Sequence, residues 1–106
     1  MEKKEGEEFY PFEVFNKSIV MIYSFLVFIN TRSGSNLPTT AVEIMERFGT
    51  GYKNTNRYIQ KLIEPKLIKK RRRVNGYDSY LITEKGQKFI KFLSKRLNVD
   101  ETLGSL

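Results

Sequence analysis

The hydrophobic positions of the chain divide it into helical segments and one pair of strand-like runs. The first predicted helix covers about residues 11–31, because apolar residues recur there with helical spacing and Pro11 suits a first turn. Its inner stripe consists of Val14, Phe15, Ile19, Ile22, Tyr23, Leu26 and Ile29. Further apolar residues cover most of the opposite side, so we expect this helix to be buried on more than one side.

Two shorter helices follow, joined by a turn. Thr40 and Glu43 form a capping-box pattern, and the helix that they start continues to about Phe48. The sequence Gly49-Thr50-Gly51 predicts a tight turn, since glycine tolerates positive φ. The third helix covers residues 52–64 and ends before a proline, which disfavours a helical residue in front of it. Its predicted inner face consists of Thr55, Ile59, Leu62 and Ile63.

A β-hairpin comes next, over residues 67–82. Asn75-Gly76 separates its two strand-like runs, and this pair favours a type I′ turn because both positions need positive φ. Thr83 then caps a last helix from Glu84 to about Leu97. A helix-turn-helix followed directly by a basic hairpin predicts a winged helix.

The predicted fold class is therefore mostly α with a small β-hairpin. The element order is helix, helix, turn, helix, β-hairpin wing, helix. We expect one domain over residues 9–97, with a polar N-terminal tail at 1–8 and a C-terminal tail at 98–106. The most apolar run, Ile19 to Ile29, is shorter than the roughly 20 residues that a membrane span needs, so no membrane partner is expected.

The composition of the 106 residues excludes several kinds of chemistry. Cysteine and histidine are absent, so disulfides, Cys/His zinc sites and Ser-His or Cys-His nucleophile pairs are excluded. No Gly-rich phosphate loop occurs, and the carboxylates are scattered along the helices. We therefore expect no enzyme activity, no cofactor and no metal.

Positive charge is concentrated in one fifth of the chain. Lys and Arg number 19 against 12 Asp and Glu, which gives a formal charge of +7. Residues 52–73 hold nine of the basic residues and one acid, Glu64, so the rest of the chain is close to neutral. A charge run can be a solvated surface. Here it coincides with the third helix and the wing, and this favours double-stranded DNA as the partner.

We expect the helix over 52–64 to read the major groove and the wing over 67–82 to follow the backbone or the minor groove. Strand alternation would direct either Lys70 and Arg72, or Lys69, Arg71 and Arg73, away from the body. Arg57 and Asn56 are the leading candidates for base contacts. The candidate DNA-binding residues are Tyr52, Lys53, Asn54, Asn56, Arg57, Gln60, Lys61, Lys69, Lys70, Arg71, Arg72, Arg73 and Asn75.

The second apolar set on the first helix predicts a homodimer. Left in water, it would form a contiguous patch of a kind that soluble monomers seldom expose. The candidate interface consists of Val20, Met21, Phe25, Val27 and Phe28. The aromatic side chains of this helix could instead line an effector pocket, and the sequence does not identify an effector.

The run KLIKK and the later GYDSYLITEKGQKFIKFL resemble the second half of small archaeal winged-helix DNA-binding proteins. This group includes the chromatin-associated 10a proteins and grades into MarR- and PadR-type regulators. Tyr80 to Gly86 is similar to their strand-to-helix junction, and Leu67-Ile68 to the start of their wing. Pro65-Lys66 departs from their usual Lys-Gly, and the last helix is shorter than the one through which the 10a proteins dimerise.

The resemblance implies a cytoplasmic, nucleoid-associated protein that binds DNA. Our leading hypothesis is a dimeric transcription regulator that selects particular sequences. An architectural protein with little base readout is the second hypothesis. A winged-helix module for protein–protein contact within transcription or replication machinery is the third.

Overall fold

The computed structural model describes residues 19–97. Its helices are α1 (Ile19–Gly34), α2 (Ala41–Phe48), α3 (Tyr52–Ile63) and α4 (Glu84–Arg96), and its strands are β1 (Thr39–Thr40), β2 (Ile68–Val74) and β3 (Tyr77–Ile82). The strand order β1-β3-β2 is antiparallel throughout. The fold is mostly helical, as the sequence predicts. The two predicted tails and the expected start of the first helix at Pro11 lie outside the described residues.

One hydrophobic core joins all four helices to the sheet. The inner stripe predicted for α1 is buried at Ile19, Ile22, Leu26 and Ile29. Ile59 and Leu62 of α3 and Phe89 and Leu93 of α4 have no exposed surface. Tyr23 of α1 and Ser94 of α4 add a buried hydroxyl pair at 3.2 Å, so each satisfies the polar atom of the other inside the core.

α1 ends later than the sequence predicts. Arg32 to Gly34 belong to the helix, although their composition predicts a loop. The Nε–H of Arg32 donates to Thr39 Oγ1 at 3.0 Å, so the last turn of α1 is fixed to the strand that follows. That strand, β1, has no counterpart among the predicted elements. Its two threonines pair with Tyr80 and Ser79 of β3, which turns the predicted hairpin into a three-stranded sheet.

The remaining boundaries agree with the sequence to within one residue. In the predicted capping box, the Glu43 carboxylate accepts from the backbone N–H of Thr40 at 2.7 Å and from its hydroxyl at 2.6 Å. Asn75 and Gly76 have φ of 51° and 85°, which confirms the expected turn with two positive φ values. Thr83 accepts from Gly86 N–H at 3.0 Å and so caps α4.

Candidate nucleic-acid interface

The turn between α2 and α3 positions α3 against the body. Gly49 ends α2 at a φ of 65°, and its N–H donates to Met45 at 2.8 Å. Aromatic rings then hold the two helices to α1. The Phe25 ring lies 4.9 Å from the Phe48 ring and 5.3 Å from the Tyr58 ring, centroid to centroid. These contacts fix the direction in which α3 presents its outer face.

The outer face of α3 carries the polar side chains that the sequence singles out. Thr55, Ile59 and Leu62 are buried on the inner face, and Asn56 is half-buried at its margin. Exposed on the outer side are Tyr52, Lys53, Asn54, Arg57, Gln60 and Lys61. Lys61 lies over the Tyr58 ring at 5.5 Å, a cation–π contact that leaves the ammonium group in solvent. The helix therefore offers cations and amides together on one surface.

A β-bulge in the wing changes the direction of its cations. Arg71 lies opposite Ser79, whereas Arg73 lies opposite Asp78, so β2 contains one extra residue at this point. The Ser79 hydroxyl donates to the Arg72 carbonyl at 2.6 Å across the bulge. Strict alternation, which the sequence prediction assumed, is therefore wrong beyond Arg71.

The bulge sorts the wing cations onto two faces. Residues that pair across strands share a face, so Lys70, opposite Tyr80, and Arg73, opposite Asp78, point to the same side. Lys69 and Arg71 lie on the other side, where they line a cavity beside the end of α1. The structure thus does not bring all the predicted wing contacts to one surface.

α3 packs against β2, the wing strand that carries Lys70. Burial, together with the nearby Asp78 carboxylate and Tyr52 phenol, raises the pKa of Tyr80 above its ordinary value. Tyr52, the first residue of α3, is thus one of the groups that raise this pKa. Lys70 Nζ is 3.4 Å from Asp78 Oδ2 on the same face, so the basic surface includes one acid. The outer face of α3 and the side of the wing that carries Lys70 and Arg73 are together called the basic surface here.

The predicted dimer interface needs correction at Phe25. Its side chain has no exposed surface and packs between Phe48 and Tyr58 of the same chain, so its assignment to the interface is wrong. Phe28 is half-buried against Phe48, and Met21 and Val27 are also half-buried. Val20 is 59% exposed. The other four residues of the candidate interface thus retain surface in a single chain.

The part of the chain that the structure describes contains neither a cluster of metal-binding side chains nor a helix that could span a membrane. No group of three or more His, Cys, Asp and Glu side chains there could hold a metal ion. Within residues 19–97, no helix has the length and apolar content to cross a bilayer.

Comparison with known families agrees with this geometry. A model of the winged helix-turn-helix family matches residues 22–101, which is more than half of the chain. No curated protein gives a significant match. The match covers the helix-turn-helix, the wing and α4, and it indicates nucleic-acid binding. The chain therefore belongs to the winged helix-turn-helix family.

Proposed function

We propose that this protein is a dimeric, sequence-selective transcription regulator that binds double-stranded DNA through the basic surface. The observation that supports the proposal is that the exposed, basic outer face of α3 belongs to a helix that packs against β2, the wing strand that carries Lys70. A regulator of this kind would act in the cytoplasm, on the nucleoid.

Base readout is assigned to α3. Arg57 and Gln60 are exposed near the middle of the helix, and Asn56 is reachable at its margin. Arginine pairs bidentately with guanine, and Asn and Gln pair with adenine, in the major groove. Lys53, Asn54 and Lys61 flank these side chains and would bind phosphates. Tyr52 is 54% exposed at the helix start, where its phenol can donate to a phosphate.

Phosphate binding is also assigned to the wing. Lys70 and Arg73 share one face of the wing, and Arg72 and Asn75 are also exposed. Arg73 donates to the Gly76 carbonyl, which holds its guanidinium at the tip of the hairpin. Cations at such a position follow the backbone or enter a narrow minor groove.

Dimerisation is assigned to the outward stripe of α1, defined as Val20, Ser24, Val27 and Thr31, with Met21 and Phe28 beside it. The Ser24 and Thr31 hydroxyls donate to the carbonyls of Val20 and Val27 at 2.8 and 2.9 Å. Their polarity is therefore satisfied within the helix, so the stripe can pack without unpaired donors. A second copy packed on it would form a symmetric dimer with two α3 helices for two half-sites.

Selection of bound duplexes from a random pool, followed by a panel of mutated sites, tests this function. Arg57→Ala should relax preference at particular base positions, by roughly 1–3 kcal/mol for each lost contact. Arg73→Ala should weaken binding to every sequence alike, because a phosphate contact carries no sequence information. If the pool yields no preferred site, the architectural hypothesis is favoured over the regulator. If Arg57→Ala lowers affinity uniformly, its assignment to base readout is wrong.

A further inference from the structure

A cavity of about 320 Å³ lies between the end of α1 and the wing face opposite the basic surface. Its volume is at the low end of the range for small-molecule sites. Leu81 and Ile82 form an apolar part of its lining, and no Asp or Glu lines it. The polar lining residues are Asn30, Ser33, Asn36, Lys69, Arg71 and Gln87.

Two side chains of this lining, Ser33 and Asn30, accept hydrogen bonds from the protein with their oxygen atoms and keep their own donor groups available. Ser33 Oγ accepts from the Ile82 N–H at 3.2 Å, which leaves the Ser33 hydroxyl proton to donate elsewhere. Asn30 Oδ1 accepts from Gln87 Nε2 at 3.3 Å, so the Asn30 amide group keeps its N–H donors. Among the described residues, neither Lys69 nor Arg71 has a carboxylate partner.

We propose that this cavity is a binding site for a small oxyanion of the phosphate or dicarboxylate class. The Arg71 guanidinium presents a planar pair of donors that matches two oxygens of such a group. Lys69 adds a second positive charge, and the Ser33 hydroxyl and the Asn30 amide complete the donor set. The site is separate from the proposed DNA contacts, because Lys70 and Arg73 lie on the other face of the wing.

Titration of the full chain with inorganic phosphate, and separately with succinate, tests the proposal. Amide NMR spectra would be recorded at constant ionic strength, with chloride replaced by the probe. We expect saturable shifts centred on the amides of Ser33, Arg71 and Ile82. The double variant Lys69→Ala/Arg71→Ala should lose about tenfold or more in affinity, because two charge-assisted contacts are removed. Arg71→Lys keeps the charge but loses the paired donors, so its affinity for the probes should lie between those of the wild type and the double variant.

The control variant Lys91→Ala/Lys95→Ala removes the same charge from the exposed face of α4 and should bind the probes like the wild type. Both double variants alter exposed or half-buried side chains, and the same spectra report whether the fold is kept. Shifts that rise linearly and spread over all basic surfaces would overturn the proposal, as would equal losses in the two double variants. If only a short DNA duplex moves these amides, the cavity belongs to the DNA interface and the proposal is wrong. Binding of the two small probes is measured without DNA, so the proposed function can fail while this site is confirmed.

Discussion

Gly86 shows how one residue can decide a junction in this fold. A Cβ at this position would lie 2.1 Å from the Leu67 carbonyl oxygen and 2.7 Å from Ile82 Cδ1. That carbonyl accepts from the backbone N–H of Thr83 at 3.1 Å and from its hydroxyl at 2.9 Å. Contacts with Leu67, just before β2, therefore explain the threonine and the glycine of the Thr-Glu-Lys-Gly sequence. Because this role is in the packing of the fold, the motif indicates a winged helix. It does not distinguish the 10a proteins from other winged-helix groups.

Gly86→Ala should lower the free energy of unfolding by about 2–3 kcal/mol, since the added methyl group must displace backbone in a packed junction. Chemical denaturation measures the change. Gly34→Ala is the matched control, because nothing lies within 4 Å of the added Cβ, and its effect should stay within about 0.5 kcal/mol. Equal effects at the two sites would contradict the close approach at Gly86.

Lys66 occupies a backbone conformation that suits glycine. Its φ is 63°, its N–H donates to the Ile63 carbonyl at 2.8 Å, and the next N–H donates to Leu62 at 2.9 Å. These two bonds form a Schellman motif, in which the residue that follows a right-handed helix has a left-handed backbone conformation. Lys66 thus stands where the resembling proteins usually have glycine, and the backbone keeps the positive φ that glycine favours.

Lys66→Gly should stabilise the protein by about 0.5–1 kcal/mol, because it removes the crowding of Cβ in the left-handed region. Thermal or chemical unfolding of the two proteins measures the difference. Lys66→Ala removes the same charge and keeps the Cβ, so it should leave stability near the wild-type value. A gain of equal size in Lys66→Ala would assign the effect to charge and contradict the role of φ.

Among the elements, those built from local pattern are the ones the sequence predicts. The spacing and caps of α2, α3 and α4 and the Asn-Gly turn of the wing lie within a few residues of each other, so they can be read directly. β1 and the bulge in β2 depend on how these strands pair with β3. The β3 partners of β1 are about 40 residues away in the sequence, and no local pattern in β2 marks the extra residue. The same limit applies to the site. Sequence identifies the wing cations, but the Ser79 hydroxyl bond at the bulge sets which of them share a face.

α1 illustrates the limit of a hydrophobic pattern in a different way. Its apolar residues on two sides predicted a partner subunit, yet α2 and α3 of the same chain cover one of those sides at Phe25. Periodicity shows that a face is buried and does not show by what. The outward stripe that begins at Val20 is the part left for a second copy.

Val20→Glu should shift the protein from dimer to monomer and weaken DNA binding, because it places a charge in the proposed interface. Sedimentation velocity at micromolar concentration measures the association state. Leu37→Glu is the matched control: Leu37 is 47% exposed in the loop after α1, so the same charge change should leave the dimer intact. A wild-type protein that is already monomeric would contradict dimerisation through α1.

The positive charge of the protein is distributed unevenly over the domain. The basic surface combines the outer face of α3 with Lys70 and Arg73, while residues outside 52–73 are close to neutral. Lys69 and Arg71 lie on the opposite face of the wing, but most of the cations of residues 52–73 lie on the basic surface, so a polyanion would be bound on that side, against α3.

The salt dependence of binding to one duplex tests whether DNA is bound through the basic surface. With about 6–10 phosphate contacts per dimer, a plot of log affinity against log salt concentration should fall with a slope of roughly −5 to −9. Lys70→Ala should make the slope shallower by about 1–2 per dimer, because each copy loses one phosphate contact. Lys91→Ala, on the exposed face of α4, should leave the slope unchanged. A response to salt that is flat, or that Lys91→Ala alters as much as Lys70→Ala does, would contradict DNA binding through the basic surface.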